Sequence, residues 1–115
     1  MRRPILAHTM VRRTLRVTTR QKELLRSAAF IARMSQHAVL RHGLNAYEQT
    51  PEPLEPGGKR DTAILLVLTD AVDDQIKRLT HATGHGWSTI AREAIEHGSR
   101  SLIRQHHTKG AANAA

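Results

Sequence analysis

One short alternating run sets the first constraint on this chain. From Val11 to Thr18, Leu15 and Val17 share one face while Thr14, Arg16 and Thr18 share the other, a period of two that reads as a strand. Thr18 or Thr19 then offers a hydroxyl to cap a helix. That helix has Leu24, Leu25, Ala28, Ala29, Ile31 and Ala32 on its apolar side, and Arg20, Lys22, Glu23, Arg26 and Arg33 on its wet side. The pattern breaks at Arg33-Met34-Ser35. Ser35 caps a second helix, whose Val39, Leu40, Gly43, Leu44 and Tyr47 recur at helical spacing, with Gly43 placed to let another backbone approach closely. A unit with a single strand leaves that strand's backbone donors and acceptors unpaired, so Thr14 to Tyr47 needs a partner.

The chain beyond allows, without requiring, a partner within the same molecule. Residues 48–61, EQTPEPLEPGGKRD, hold three prolines and two adjacent glycines and read as a linker. Extended at ~3.1 Å per residue, such a segment can return the chain across a small domain. Beyond it the order repeats: a β-prone run, a helical pattern, a break at Gly84-His85-Gly86, and another helical pattern. A gapless shift of 51 residues places Leu15 on Leu66, Val17 on Leu68, Thr18 on Thr69, Leu25 on Ile76, Ala28 on Leu79, Val39 on Ile90, Gly43 on Ala94 and Leu44 on Ile95. Apolar residues fall on apolar residues through both helices. Thr69 and Asp70 are the first capping candidates of this second unit, and Ser88 the candidate for its second helix.

The expected organisation is a basic arm at residues 1–10, one unit at 11–47, the linker at 48–61, a second unit at 62–104 and a frayed tail at 105–115. The expected architecture is small and mainly α, with one short strand in each unit.

Composition narrows the function. Residues 1–47 carry ten Lys or Arg against the single acid Glu23, whereas residues 48–115 carry eight basic and nine acidic residues, so the whole excess of +8 arises in the first half. Such a balance points to a polyanionic partner. The chain has no cysteine, which removes disulfides and thiolate metal sites, and no apolar run long enough for a membrane span, so a soluble cytoplasmic protein with no membrane association is the expectation. There is no Gly-rich phosphate loop and no carboxylate pair in an apolar setting; Asp73 and Asp74 read as a solvated helix start. No catalytic role, cofactor or metal is therefore expected. His81 and His85 have i, i+4 spacing, but a glycine break separates them, and surface histidines are the favoured reading.

The stretches LRVTTRQKELLRSAAFIARMSQHAVLRHGLNAY and ILLVLTDAVDDQIKRLTHATGHGWSTIAREAIEHG together resemble the ribbon-helix-helix (MetJ/Arc-type) DNA-binding family, present twice in one chain. The resemblance implies a fold that is mainly α with a short two-stranded antiparallel ribbon, a tandem βαα-βαα pseudo-dimer that is monomeric as a chain, with homo-oligomers on DNA possible, and a ribbon that enters the major groove of double-stranded DNA. It implies that Thr14, Arg16 and Thr18 face the bases, and that phosphates are held at the turns Ser35, Gln36, His37 and Gly86, Trp87, Ser88. By the same parity Ala63, Leu65 and Val67 face outward from the second strand. Apolar residues there can touch thymine methyls, pack on another protein or be buried on both sides. Weak methyl-type or shape readout by Leu65 and Val67 is the preferred reading. Trp87 suits either a sugar-phosphate edge or, in preference, a local hydrophobic cap. Arg2, Arg3, Arg12 and Arg13 are expected at phosphates or the minor groove, and Arg16 at the main base contact of an asymmetric site.

Tandem copies are similar to TraY-like relaxosome accessory proteins of conjugative plasmids, which act with a relaxase, and to plasmid-type transcriptional repressors. The first unit, RVTTRQKELLRSAAFIARMSQ, also resembles antitoxins that neutralise a toxin while autoregulating their operon. A third arrangement pairs like with like across two chains, so that two basic strands form one ribbon and two apolar strands another.

Overall fold

A computed structural model describes the backbone of residues 10–114 and side chains as far as residue 107. The elements run β1 (Met10–Val17), α1 (Thr19–Ala32), α2 (Gln36–Gln49), β2 (Thr62–Thr69), α3 (Asp70–Thr83) and α4 (Trp87–Ala114). Among the described residues the chain is mainly helical, with one two-stranded antiparallel sheet formed by β1 and β2. The lone strand of the first unit thus finds its partner within the chain.

Local chemistry explains the boundaries. Thr18 caps α1 in a full capping box, its hydroxyl accepting the Gln21 amide at 3.0 Å while its own amide donates to the Gln21 side chain at 3.0 Å. Ser35 caps α2 by accepting from the Ala38 amide, and Thr69 caps α3 by accepting from the Val72 amide. Helices α1 and α3 both end on a left-handed residue, Arg33 (φ 55°) and Gly84 (φ 79°). Glycine fits that conformation freely, whereas the arginine pays for a Cβ crowded against its carbonyl. Ser88 is not the cap expected of it, because α4 already begins at Trp87.

The inner face of the ribbon, Leu15 and Val17 with Leu66 and Leu68, lies on a core drawn from all four helices. Leu25 and Ala28 come from α1, Val39, Leu40, Leu44 and Tyr47 from α2, Val72, Ile76 and Leu79 from α3, and Ile90, Ala91, Ala94, Ile95 and Leu102 from α4. At about 1.5–3 kcal/mol for each large aliphatic side chain, this burial is the main favourable term. Helices α2 and α4 cross with backbones touching. A Cβ on Gly43 would collide with the Ala94 carbonyl, and one on Gly98 with the Val39 carbonyl.

The structure adds detail to the expected linker and changes the expected tail. The segment after α2 has no regular structure, as expected of a linker, and is bonded to α4 at several points. The Glu93 carboxylate accepts the Leu54 amide at 2.8 Å and the Glu55 amide at 3.4 Å; the His97 Nε2 donates to the Glu52 carbonyl at 2.6 Å; and Arg100 donates to the Leu54 carbonyl at 3.1 Å. The frayed tail expected from Gln105 is corrected, since α4 continues to Ala114.

Candidate nucleic-acid interface

The ribbon has one buried and one exposed face. On β1 the exposed row is Met10, Arg12, Thr14 and Arg16; on β2 it is Ala63, Leu65 and Val67. The register sets Arg12 opposite Val67, Thr14 opposite Leu65 and Arg16 opposite Ala63. Leu65 is 57% exposed, which excludes burial of β2 on both sides. Among the described residues neither Arg12 nor Arg16 has a carboxylate within ion-pairing distance. Behind the row, the Arg92 guanidinium donates to the Arg16 carbonyl at 3.0 Å and fixes the end of β1 against α4. Burial, with help from nearby Arg60, lowers the pKa of Arg92.

Three residues given one role by the sequence pattern have another in the fold. Thr18 leaves the exposed row, because its hydroxyl is committed to the capping box of α1. Arg12 joins the exposed row that was reserved for Thr14 and Arg16, as strict alternation requires. Arg13 turns to the opposite side, where its Nε donates to Asp73 Oδ1 at 3.3 Å and its guanidinium lies 5.0 Å from the centre of the Trp87 ring.

Asp73 is therefore not a solvated helix residue. It is almost fully buried and also receives the Trp87 indole N–H at 3.1 Å and the Lys77 ammonium at 3.0 Å. Burial alone would raise its pKa, but the bonds from Lys77, Trp87 and Arg13 outweigh it and hold the carboxyl below the ordinary aspartate value. Trp87, anchored inward in this way, is a cap on the α3–α4 corner.

The two helix starts expected to hold phosphates are real N-termini. Gln36 and His37 open α2 behind the Ser35 cap, and Trp87 and Ser88 open α4 after Gly86. First-turn amides have no partner inside their helix, which gives each start a partial positive charge. The His37 Nε2 is buried without a partner, so this ring does not reach outward. Arg2 and Arg3 lie outside the described residues.

The sequence pattern did not suggest a charged cluster that joins α1 to α4. Glu96 is 0% exposed and receives Arg20 Nη1 at 3.1 Å, Gln21 Nε2 at 3.1 Å and Arg100 Nε at 2.9 Å. Gln21 also donates to Glu55, which accepts from Arg60 at 2.7 Å and from the Gly57 amide at 3.0 Å. Burial would raise the Glu55 carboxyl; the bonds from Arg60, Gly57 and Gln21 reverse this and lower it. The start of α1, the middle of α4 and the connecting segment are thereby locked together.

Among the described residues no three His, Asp or Glu side chains converge as a metal site would require. His81 sits in the last turn of α3, and His85 lies past the left-handed Gly84. No helix among them is long and apolar enough to cross a membrane. Phe30 is 84% exposed on α1, beside a shallow hollow formed with Ile31, Met34 and Ser35. Comparison with protein-family models, curated proteins and solved structures returned no match.

Proposed function

We propose that this chain is a non-enzymatic, sequence-specific double-stranded DNA-binding protein, a tandem ribbon-helix-helix pseudo-dimer that inserts its ribbon in the major groove. The observation that carries the reading is the exposed row Arg12, Thr14, Arg16 on a sheet of only two strands whose other face is buried on helices. A two-stranded ribbon fits a groove about 12 Å wide, and such a row can donate to base edges there.

Pseudo-symmetry supports the same reading. Thr14 stands opposite Leu65, its counterpart 51 residues on, so the pairing is centred on an equivalent pair. The caps Thr18 and Thr69 and the left-handed residues Arg33 and Gly84 are related by the same interval. In this arrangement the first amides of α2 and α4 hold phosphates, and Arg16, Arg12 and Thr14 contact bases. A relaxosome accessory role beside a relaxase and a repressor role both use this one activity.

Fluorescence anisotropy of the whole chain with labelled duplexes tests it. Duplex DNA should bind tightly, with affinity falling steeply as salt rises, and Arg16→Ala should lose about 1–3 kcal/mol of discrimination at one base pair. Equal affinity for all sequences in both proteins, or no binding at low salt, would refute the proposal.

A second reading, an antitoxin that holds a partner protein, draws on Phe30, since so large an exposed aromatic suits a protein interface. Co-purification with the product of an adjacent reading frame, lost in Phe30→Ala while DNA binding persists, would favour it.

A further inference from the structure

The exposed face of the ribbon is divided lengthwise. Every polar side chain in its centre, Arg12, Thr14 and Arg16, belongs to β1, and every residue facing them, Val67, Leu65 and Ala63, belongs to β2. A ribbon of two identical strands would present each reader once on each edge, related by the twofold axis, and would place equal sets in two half-sites. Here the axis passes through Thr14 and Leu65, and one arginine lies on each side of it along the same edge. The difference is between edges, not between ends.

Neighbouring strands lie about 4.8 Å apart, and the groove is about 12 Å wide. Each protein strand therefore runs nearer to one wall of the groove, and so nearer to the bases of one DNA strand. Arginine pairs best with guanine, through O6 and N7; the threonine hydroxyl can bond an adenine at N7 or N6; apolar side chains fit the C5 edge of pyrimidines, the thymine methyl above all. Arg12 and Arg16 are separated by four residues, a rise of roughly 14 Å at about 3.4 Å per residue, which matches about four base-pair steps at roughly 3.4 Å each.

Resting on the DNA-binding reading above, we propose that the target is a short polypurine·polypyrimidine element. Two guanines three to five steps apart lie on the DNA strand beside β1, and A·T pairs between them present their thymine methyls to Leu65 on the strand beside β2. The site is not a palindrome, and both arginines read the same DNA strand. A change in either arginine relaxes one end of the purine run, and a change in Leu65 relaxes its middle.

Selection of duplexes by the whole chain from a random library, followed by substitution on one DNA strand at a time, tests this. The selected element should carry both guanines on one strand. Replacing either with 7-deazaguanine should weaken binding roughly tenfold or more, while Arg12→Ala and Arg16→Ala each become insensitive at one guanine, a different one for each. Deoxyuridine in place of thymine on the opposite strand should weaken binding by the whole chain and not by Leu65→Ala. An inverted repeat with guanines on opposite strands, a single guanine serving both arginines, or no sensitivity to 7-deazaguanine would overturn the proposal while leaving DNA binding intact. Failure to enrich any duplex would overturn both readings. All three side chains are exposed, so the variants keep the core unchanged.

Discussion

Replacing Glu96 with alanine tests the cluster that ties the start of α1 and the connecting segment to α4. The carboxylate is fully buried and accepts three donors. Two of these, Arg20 and Arg100, have side chains 53% and 37% exposed, so water can take over much of their hydration, and each lost pair costs at most about 0.5–1 kcal/mol. Gln21 is fully buried, and its side-chain N–H group keeps only the bond to Glu55, so its loss of a partner costs about 1–2 kcal/mol. The expected total is about 2–4 kcal/mol. In urea, with a slope of about 1–3 kcal/mol per molar for a domain of this size, the midpoint should fall by about 1 M or more with the slope unchanged. A midpoint within about 0.3 M of the parent, or above it, would show that burying the carboxylate costs as much as its bonds return, and the account of the cluster would be wrong.

Three further outcomes follow from single residues. Gly43→Ala should destabilise by about 1–3 kcal/mol or more, read by thermal or urea unfolding, because the added methyl meets the Ala94 backbone rather than a side chain that could turn away. Arg33→Gly should stabilise by about 0.5–1 kcal/mol, since relief of the left-handed strain exceeds the extra entropy of an unfolded glycine. Asp73 has a folded pKa below its unfolded value, so its contribution is fully present above about pH 4 and is lost as pH falls through the folded pKa. Asp73→Asn should therefore lower stability at pH 7 and flatten its fall in acid, with the two unfolding curves converging at low pH.

Much of the fold was legible because it rests on short-range chemistry. Thr18, Ser35 and Thr69 act as caps, Gly43 sits at a backbone contact, and β1 pairs with β2. The misses have a common cause. Glu93, Glu96 and His97 read as polar positions on an amphipathic helix, yet all three are buried: the connecting segment bonds to Glu93 and His97, and the start of α1 bonds to Glu96. Periodicity ranks side chains by polarity and carries no sign of a strap that returns over one face. Asp73 was misjudged likewise, since its partners Arg13 and Trp87 are remote in sequence. Arg12 was legible but overlooked: the alternation that places Thr14 and Arg16 outward includes it and excludes Arg13.

The central claim, that the outer face of the ribbon meets duplex DNA, is tested most directly by titrating the isotope-labelled chain with a selected duplex and following amide chemical shifts. The account expects the largest changes at Arg12, Thr14, Arg16, Ala63, Leu65 and Val67, with a second set at Gln36, His37, Trp87 and Ser88. Changes centred instead on Phe30 and the α1–α2 corner, or none at low salt, would contradict it.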